Sequence, residues 1–271
     1  MLFRSLINFA HGDVFMIGAM VGWYVARWTG ESRDPSIPGA LLVTLASMLA
    51  CAILGFVIER AAYRPLRNSP RLNSLITAIG VSFFLEYGGQ YVFGPNPRAF
   101  TVLPRHTARP LGPVSLGYVD IVTVVVSVVL MLLLQWIVFH TRMGTAMRAV
   151  SYNSAVASLM GVNIDLVISF TFVLGSVLAA VAGILYASKY PSVQPLMGLM
   201  PGLKAFVAAV LGGIGNVPGA MLGGLVLGLA EQIVSGYLSS SWRDAVAFGI
   251  LILVLLVRPT GLLGRGEAEK V

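Results

Sequence analysis

Four stretches of the chain, residues 40–58, 121–139, 166–186 and 220–238, are long, apolar and almost free of charge. Each comes close to the about 20 mainly apolar residues that a helix needs to cross a bilayer. Residues 74–93 form a fifth such stretch, although it carries Glu86 and Gln90. Three shorter ones, residues 14–28, 203–214 and 245–257, read as tilted, re-entrant or broken segments. Residues 122–134 are apolar with no period-two alternation, which argues against barrel strands. The expectation is an all-α, polytopic transmembrane bundle with about eight membrane segments. It fills residues 1–271 as one domain, and the recurring glycine-containing and basic-proline motifs suggest two related halves within it.

Composition agrees with a bilayer as solvent. Hydrophobic residues make up 57% of the chain and charged residues 11%, where a soluble domain carries about 25% charged. The formal net charge of +7 sits mostly between the apolar runs. No basic patch is interleaved with aromatics as at nucleic-acid sites. The lone Cys51 supports neither a disulfide framework nor a zinc site. His11, His106 and His140 show no metal-ligand spacing. There is no phosphate-binding G-x-x-x-x-G-K-[ST] loop, so the chain is expected to be non-catalytic and to hold no cofactor of its own.

Basic residues suggest the topology. Arg60, Arg64, Arg67 and Arg71 crowd the link after the first long run, and Arg142 and Arg148 mark the link over residues 140–165. Placing both on the cytoplasmic side puts the alternate links outside. The proline-rich stretch 94–119 then reads as an ordered external loop or cap.

Two polar, glycine-rich patches interrupt the pattern: residues 7–13 (INFAHGD) and 211–220 (LGGIGNVPGA). Backbone at membrane depth must be hydrogen-bonded or line a wet cavity. Asn8, His11, Gly12 and Asp13 in the first patch, and Gly212, Gly213 and Asn216 in the second, are therefore candidates for a translocation path. An interfacial turn is the plain alternative. Glu86 and Glu231 join the candidates, because a charge inside a span needs a partner or water. Gly18 and Gly22, Gly215, Gly219 and Gly223, and Gly224 and Gly228 recur at four-residue spacing, which suits close helix packing.

The link over residues 140–165 holds one short amphipathic helix. Asn153 or Ser154 suits its N-cap, Gly161 its C-terminal stop. Ala155, Val156, Leu159 and Met160 form an apolar face.

Taken together, residues 7–13, the 141–165 link, Lys204-Ala205-Phe206 followed by Leu211-Gly212-Gly213-Ile214-Gly215, and the terminal RPTGLLG at 258–264 resemble the permease subunits of bacterial branched-chain amino-acid ABC transporters. The resemblance covers essentially the whole chain. It implies a multi-pass protein of the bacterial inner (cytoplasmic) membrane that works with a second permease subunit, two ATPase subunits carrying ATP and Mg, and a periplasmic solute-binding protein. It implies that the link is a coupling helix, with Arg148, Asn153, Ser154, Ala157, Leu159 and Gly161 engaging the ATPase. Such permeases usually carry a further hydrophobic segment before the Asn-Phe-Ala-His-Gly motif. Here Met1 stands seven residues before Asn8, so the N-terminal segment is expected to be truncated. Urea or short amides as substrate, or a stand-alone secondary transporter, are the competing readings.

Overall fold

The computed structural model describes residues 10–67, 69–104, 109–111, 114–258 and 260–264. In chain order these form α1 (His11–Thr29), α2 (Ile37–Ile58), α3 (Arg71–Phe93), β1 (Arg98–Ala99), β2 (Arg109–Leu111), β3 (Val114–Leu116), α4 (Tyr118–His140), α5 (Arg142–Tyr152), α6 (Ser154–Leu159), α7 (Ile164–Lys189), β4 (Ser192–Val193), α8 (Leu199–Gly212), α9 (Val217–Tyr237) and α10 (Arg243–Val257). Every expected membrane segment is a helix: α1 to α4 and α7 to α10. The strands form two short ribbons, β1 with β4 and β2 with β3.

Length and apolarity suit five of these helices to a membrane crossing: α2 with its continuation to Leu66, α4, α7, α9, and α10 with the turn before it. The 23 residues of α3 are long enough but include Glu86 and Gln90. The 14 residues of α8 reach only about 21 Å, short of the roughly 30 Å hydrocarbon core. Caps fix several helix starts. Ser36, Asn163 and Asn216 each accept a hydrogen bond from the backbone N–H three residues on.

The chain divides into two compact units, Met1–Leu199 and Met200–Val271. In the first, α1, α2 and α7 pack around Val14, Met16, Met20, Val43, Cys51, Ala180 and Ile184. The approach is close because the contact residues are small. A Cβ added to Gly183 would lie 2.4 Å from the Phe15 carbonyl oxygen, and one on Gly18 would lie 2.7 Å from Ala180 Cα. Lipid supplies no hydrophobic drive for helix association, so van der Waals contact of this kind carries the packing. The expected strip of Gly18 and Gly22 is thus a helix contact. Gly228 meets nothing.

Helix ends in this unit sort onto two faces. At one, Trp23 Nε1 donates to the Ala99 carbonyl at 2.9 Å, β1 pairs with β4, and Lys189 bridges to Asp120. The far ends of α1, α3 and α7 therefore meet the start of α4. At the other face, the end of α2 is ion-paired to the start of α7. This is the alternation that the basic links suggested. Of the described residues in the 94–119 stretch, Phe100 and Val102 are buried in the core. None of the residues of α4 is buried by the rest of the chain.

In the second unit, Val207, Ala208, Leu227 and Ala247 join α8, α9 and α10.

The glycine contacts yield a paired prediction. Gly183→Val should lower thermal stability in detergent by at least about 1–3 kcal/mol through overpacking. Gly228→Ala should be neutral or slightly stabilising, by up to about 1 kcal/mol. A thermal unfolding series on the two variants checks both.

Candidate functional site

Of the first polar patch, residues 10–13 are described: Ala10 is the N-cap of α1, and His11, Gly12 and Asp13 form its first turn. The candidate Asn8 lies outside the described residues. The helix starts deep in the first unit: His11 Cε1 is 3.8 Å from a Cβ position on Gly175, near the middle of α7. His11 is exposed, while Gly12 and Asp13 are buried. The backbone of Gly198 lies against the Gly12 carbonyl, where an added Cβ would stand 2.0 Å from the oxygen. Asp13 is 2% exposed. It accepts a hydrogen bond from Ser82 Oγ and stands within hydrogen-bonding range of Glu86. An acid in the first turn also faces the positive end of the helix dipole. Glu86 is itself buried, and its Oε1 makes no hydrogen bond to the described residues. Sequence spacing pointed to Gln90 as the neighbour of Glu86; the fold adds Asp13 from another helix. The result is a compact polar spot of two carboxyl groups and a hydroxyl, level with the middle of a spanning helix.

The second patch is the α8–α9 turn. Gly213 and Gly215 have φ of 103° and 92°, which residues with a Cβ rarely adopt. Gly215 is therefore a turn residue, not a packing one. Gly212 and Gly219 touch, with a Cβ on Gly212 falling 2.0 Å from the Gly219 carbonyl oxygen. Asn216 caps α9, and its Nδ2 donates to the Leu263 carbonyl at 3.0 Å. Leu262 and Leu263 donate their N–H groups to the Leu211 and Gly212 carbonyls at 2.8 and 3.2 Å. The backbone groups freed at Leu211 and Gly212 are thus taken up by the C-terminal segment. For Gly212, Gly213 and Asn216 the structure displays a satisfied helix turn. Glu231 has a partner that sequence reasoning missed. Lys204 of α8 lies 3.0 Å from it and 2.7 Å from Asp244, tying α8, α9 and α10.

The 140–165 link contains two helices where one was expected. Thr141 caps α5 through Gly144 N at 3.0 Å. Asn153 caps α6 through Val156 N at 3.1 Å, and Ser154 is the first helical residue. At the other end Gly161, with φ of 82°, donates to the Ser158 carbonyl, while Val162 donates to that of Ala157. These two bonds close the helix as a Schellman motif. Ala157 is buried with Val150 and Val167 in a small core beneath the link. It faces its own chain. Val156, Leu159 and Met160 point outward, at 52%, 87% and 80% exposure. Ala155 is exposed too. The guanidinium of Arg148 lies over Phe139, 5.3 Å from the ring centroid.

An ion-pair cluster anchors the link. Beyond Ile58, α2 widens into a π-turn, Glu59–Tyr63, then tightens into a 3-10 turn containing Pro65. π-Turns are rare and cluster at functional sites. Glu59 is fully buried. It accepts from Arg67 and from Ser169 Oγ of α7. Arg67 also pairs with Asp165, which takes Arg64 Nη2 at 2.6 Å. Asp165 is the second residue of α7, so the cluster bonds the root of the link to the end of α2. Glu59 stands at the end of an apolar run, and that position was the only sequence signal for it.

A multi-pass helical membrane protein, with a mid-depth polar spot and a folded, outward-facing apolar link, has the layout of a transport permease. The comparisons give the family. The family model described as "Branched-chain amino acid transport system / permease component" matches residues 1–255. The high-affinity branched-chain amino acid transport system permease protein LivH of Escherichia coli K12 is 43% identical over 288 residues, covering 98% of this chain and 88% of LivH. LivH of Salmonella typhimurium is 42% identical at the same coverage. BraD of Pseudomonas aeruginosa is 42% identical over 98% of this chain and 89% of its own length. No solved structure matches. The chain belongs to the family of branched-chain amino acid transport permeases.

The cluster around Glu59 is open to a double-mutant test. Arg67→Met leaves a buried carboxylate without its cation and should cost about 3–5 kcal/mol. Adding Glu59→Gln should recover part of that loss, since the two residues share one network. Thermal unfolding of the single and double variants measures the coupling.

Proposed function

We propose that this chain is one of two permease subunits of an ATP-driven importer for leucine, isoleucine and valine in the bacterial cytoplasmic membrane. The observation that carries this reading is the similarity to LivH and BraD along 98% of the chain. The geometry supports it in two places. The polar start of α1, with Asp13, Ser82 and Glu86, supplies hydrogen-bonding groups at membrane depth, where a zwitterionic solute must pass. The outward apolar residues Val156, Leu159 and Met160 form a projecting knob suited to a groove on an ATPase subunit. In this reading ATP and Mg belong to those partners, a second permease completes the path, and a periplasmic binding protein delivers the solute.

Motion of the knob would act first on Asp165 and then, through Arg64 and Arg67, on Glu59 and α2. Because α2 packs on α1, the polar spot lies at the other end of one continuous series of packed and ion-paired groups.

Uptake of labelled leucine by cells lacking the chain, with and without a restored copy, tests the substrate; labelled urea is the control. Restored ATP-dependent leucine uptake is expected. Restored urea uptake alone would overturn the substrate, and uptake without a co-purifying ATPase would favour a secondary transporter. Leu159→Asp should reduce ATPase co-purification by about ten-fold while leaving membrane insertion intact, as expected for an exposed anchor residue. Ala157→Arg should instead disturb the fold of the link itself, seen as loss of stability. Normal ATPase assembly in the Leu159→Asp variant would remove the coupling role.

A further inference from the structure

Near its His140 end, α4 carries a groove that the rest of the chain leaves open. Leu132, Gln135, Trp136, Phe139 and His140 line a cavity of ≈ 540 Å³ there. Their spacing of three and four residues places them on a single helix face. The guanidinium of Arg148, from α5, lies over the Phe139 ring, its Cζ 5.3 Å from the centroid. It also donates to Thr145 Oγ1 at 3.3 Å. Arg148 is thus turned back toward α4, at the head of the groove.

The ionisable side chains at this end are all basic. Residues 132–164 include His140, Arg142 and Arg148 and no Asp or Glu. The next acid along the chain, Asp165, is already paired with Arg64 and Arg67. Among the described residues, Arg148 and His140 have no ion-pair partner, and the Gln135 amide and Trp136 indole N–H make no hydrogen bond. An anion is therefore the ligand that this end selects, and arginine binds phosphate strongly.

Depth selects the kind of anion. The 23 residues of α4 make about 34 Å of helix, against a hydrocarbon core of roughly 30 Å. Its last turn stands among headgroups, where tryptophan is favoured. Gln135 lies about 7.5 Å below His140 along the helix axis, at the level of the ester carbonyls of a lipid. Leu132 lies deeper, level with the acyl chains. A free phosphate would use the basic head of the groove and leave its apolar floor bare, whereas a phospholipid covers both. We propose that this groove binds one anionic phospholipid. Arg148 and the His140 imidazole hold the phosphate, Gln135 and Trp136 the ester groups, and an acyl chain lies along Leu132 and Phe139. Arg148 then serves the membrane and not the ATPase contact that the family resemblance implied for it. The site rests on the membrane-spanning class of the chain and not on the solute it carries.

The test uses the full chain in phosphatidylcholine nanodiscs, with brominated lipids as contact quenchers of indole fluorescence. Quenching that disappears in Trp136→Phe belongs to Trp136. Brominated phosphatidylglycerol should quench this component at about five-fold lower membrane fraction than brominated phosphatidylcholine, the preference expected of one basic group at the surface. Arg148→Gln should remove most of that preference, Arg148→Lys should keep it, and His140→Gln should lower it by a smaller factor. Equal quenching by the two lipids in the wild type, or a preference unchanged in both Arg148→Gln and His140→Gln, would overturn the site. A Trp136 shielded from both lipids would overturn it in favour of a protein partner on α4. Loss of ATPase co-purification in Arg148→Gln with the lipid preference retained would return Arg148 to the coupling contact and overturn its place here.

Discussion

Close backbone approach among α1, α2 and α7 is the constraint on which the first unit depends. In a bilayer the outside of a helix bundle is as apolar as its inside, so association relies on contact at short range. Gly18, Gly22 and Gly183 allow that contact. It holds α1 with its polar first turn level with the middle of α7. A helix end at that depth exposes N–H groups that water reaches poorly. Asp13 in the first turn, together with Ser82 and Glu86, makes the position chemically tolerable.

Charge is concentrated at a second place in the same unit. Glu59 is buried without exposure, yet Arg67 and Ser169 satisfy both its oxygens. Buried ion pairs add little net stability, but breaking one is costly, so they favour a single arrangement of the elements they join. Here the joined elements are the end of α2 and the start of α7, immediately after the link. The link is itself folded around Val150, Ala157 and Val167. In the proposed coupling role, a load on its exposed residues would reach this bonded junction directly.

The second unit solves the same polar problem with backbone groups. The α8–α9 turn bends sharply, and the C-terminal residues Leu262 and Leu263 take up two of its carbonyls. Lys204 sits between Glu231 and Asp244, so the acid that looked isolated in the sequence belongs to an interhelical ion cluster. Main-chain hydrogen bonds join two of the segments that carry the family resemblance, the second patch and Leu262–Leu263 of the terminal stretch.

Hydrophobic run length alone determined that this chain crosses a membrane as helices, because a bilayer leaves no other way to satisfy the backbone. It also located eight segments, and the cap residues Asn153 and Gly161 set the limits of α6, since capping depends on a few consecutive residues. The tertiary structure decided what those local rules leave open. Ser82 meets Asp13 across 69 positions of sequence and Ser169 meets Glu59 across 110, and no helical period encodes such partners. Which way α6 faces was likewise undetermined: Ala157 and Leu159 are both apolar, and only the presence of Val150 and Val167 beneath the link turns the first inward and leaves the second exposed. Periodicity reports that a side is apolar, whereas packing against a particular neighbour decides which side is covered.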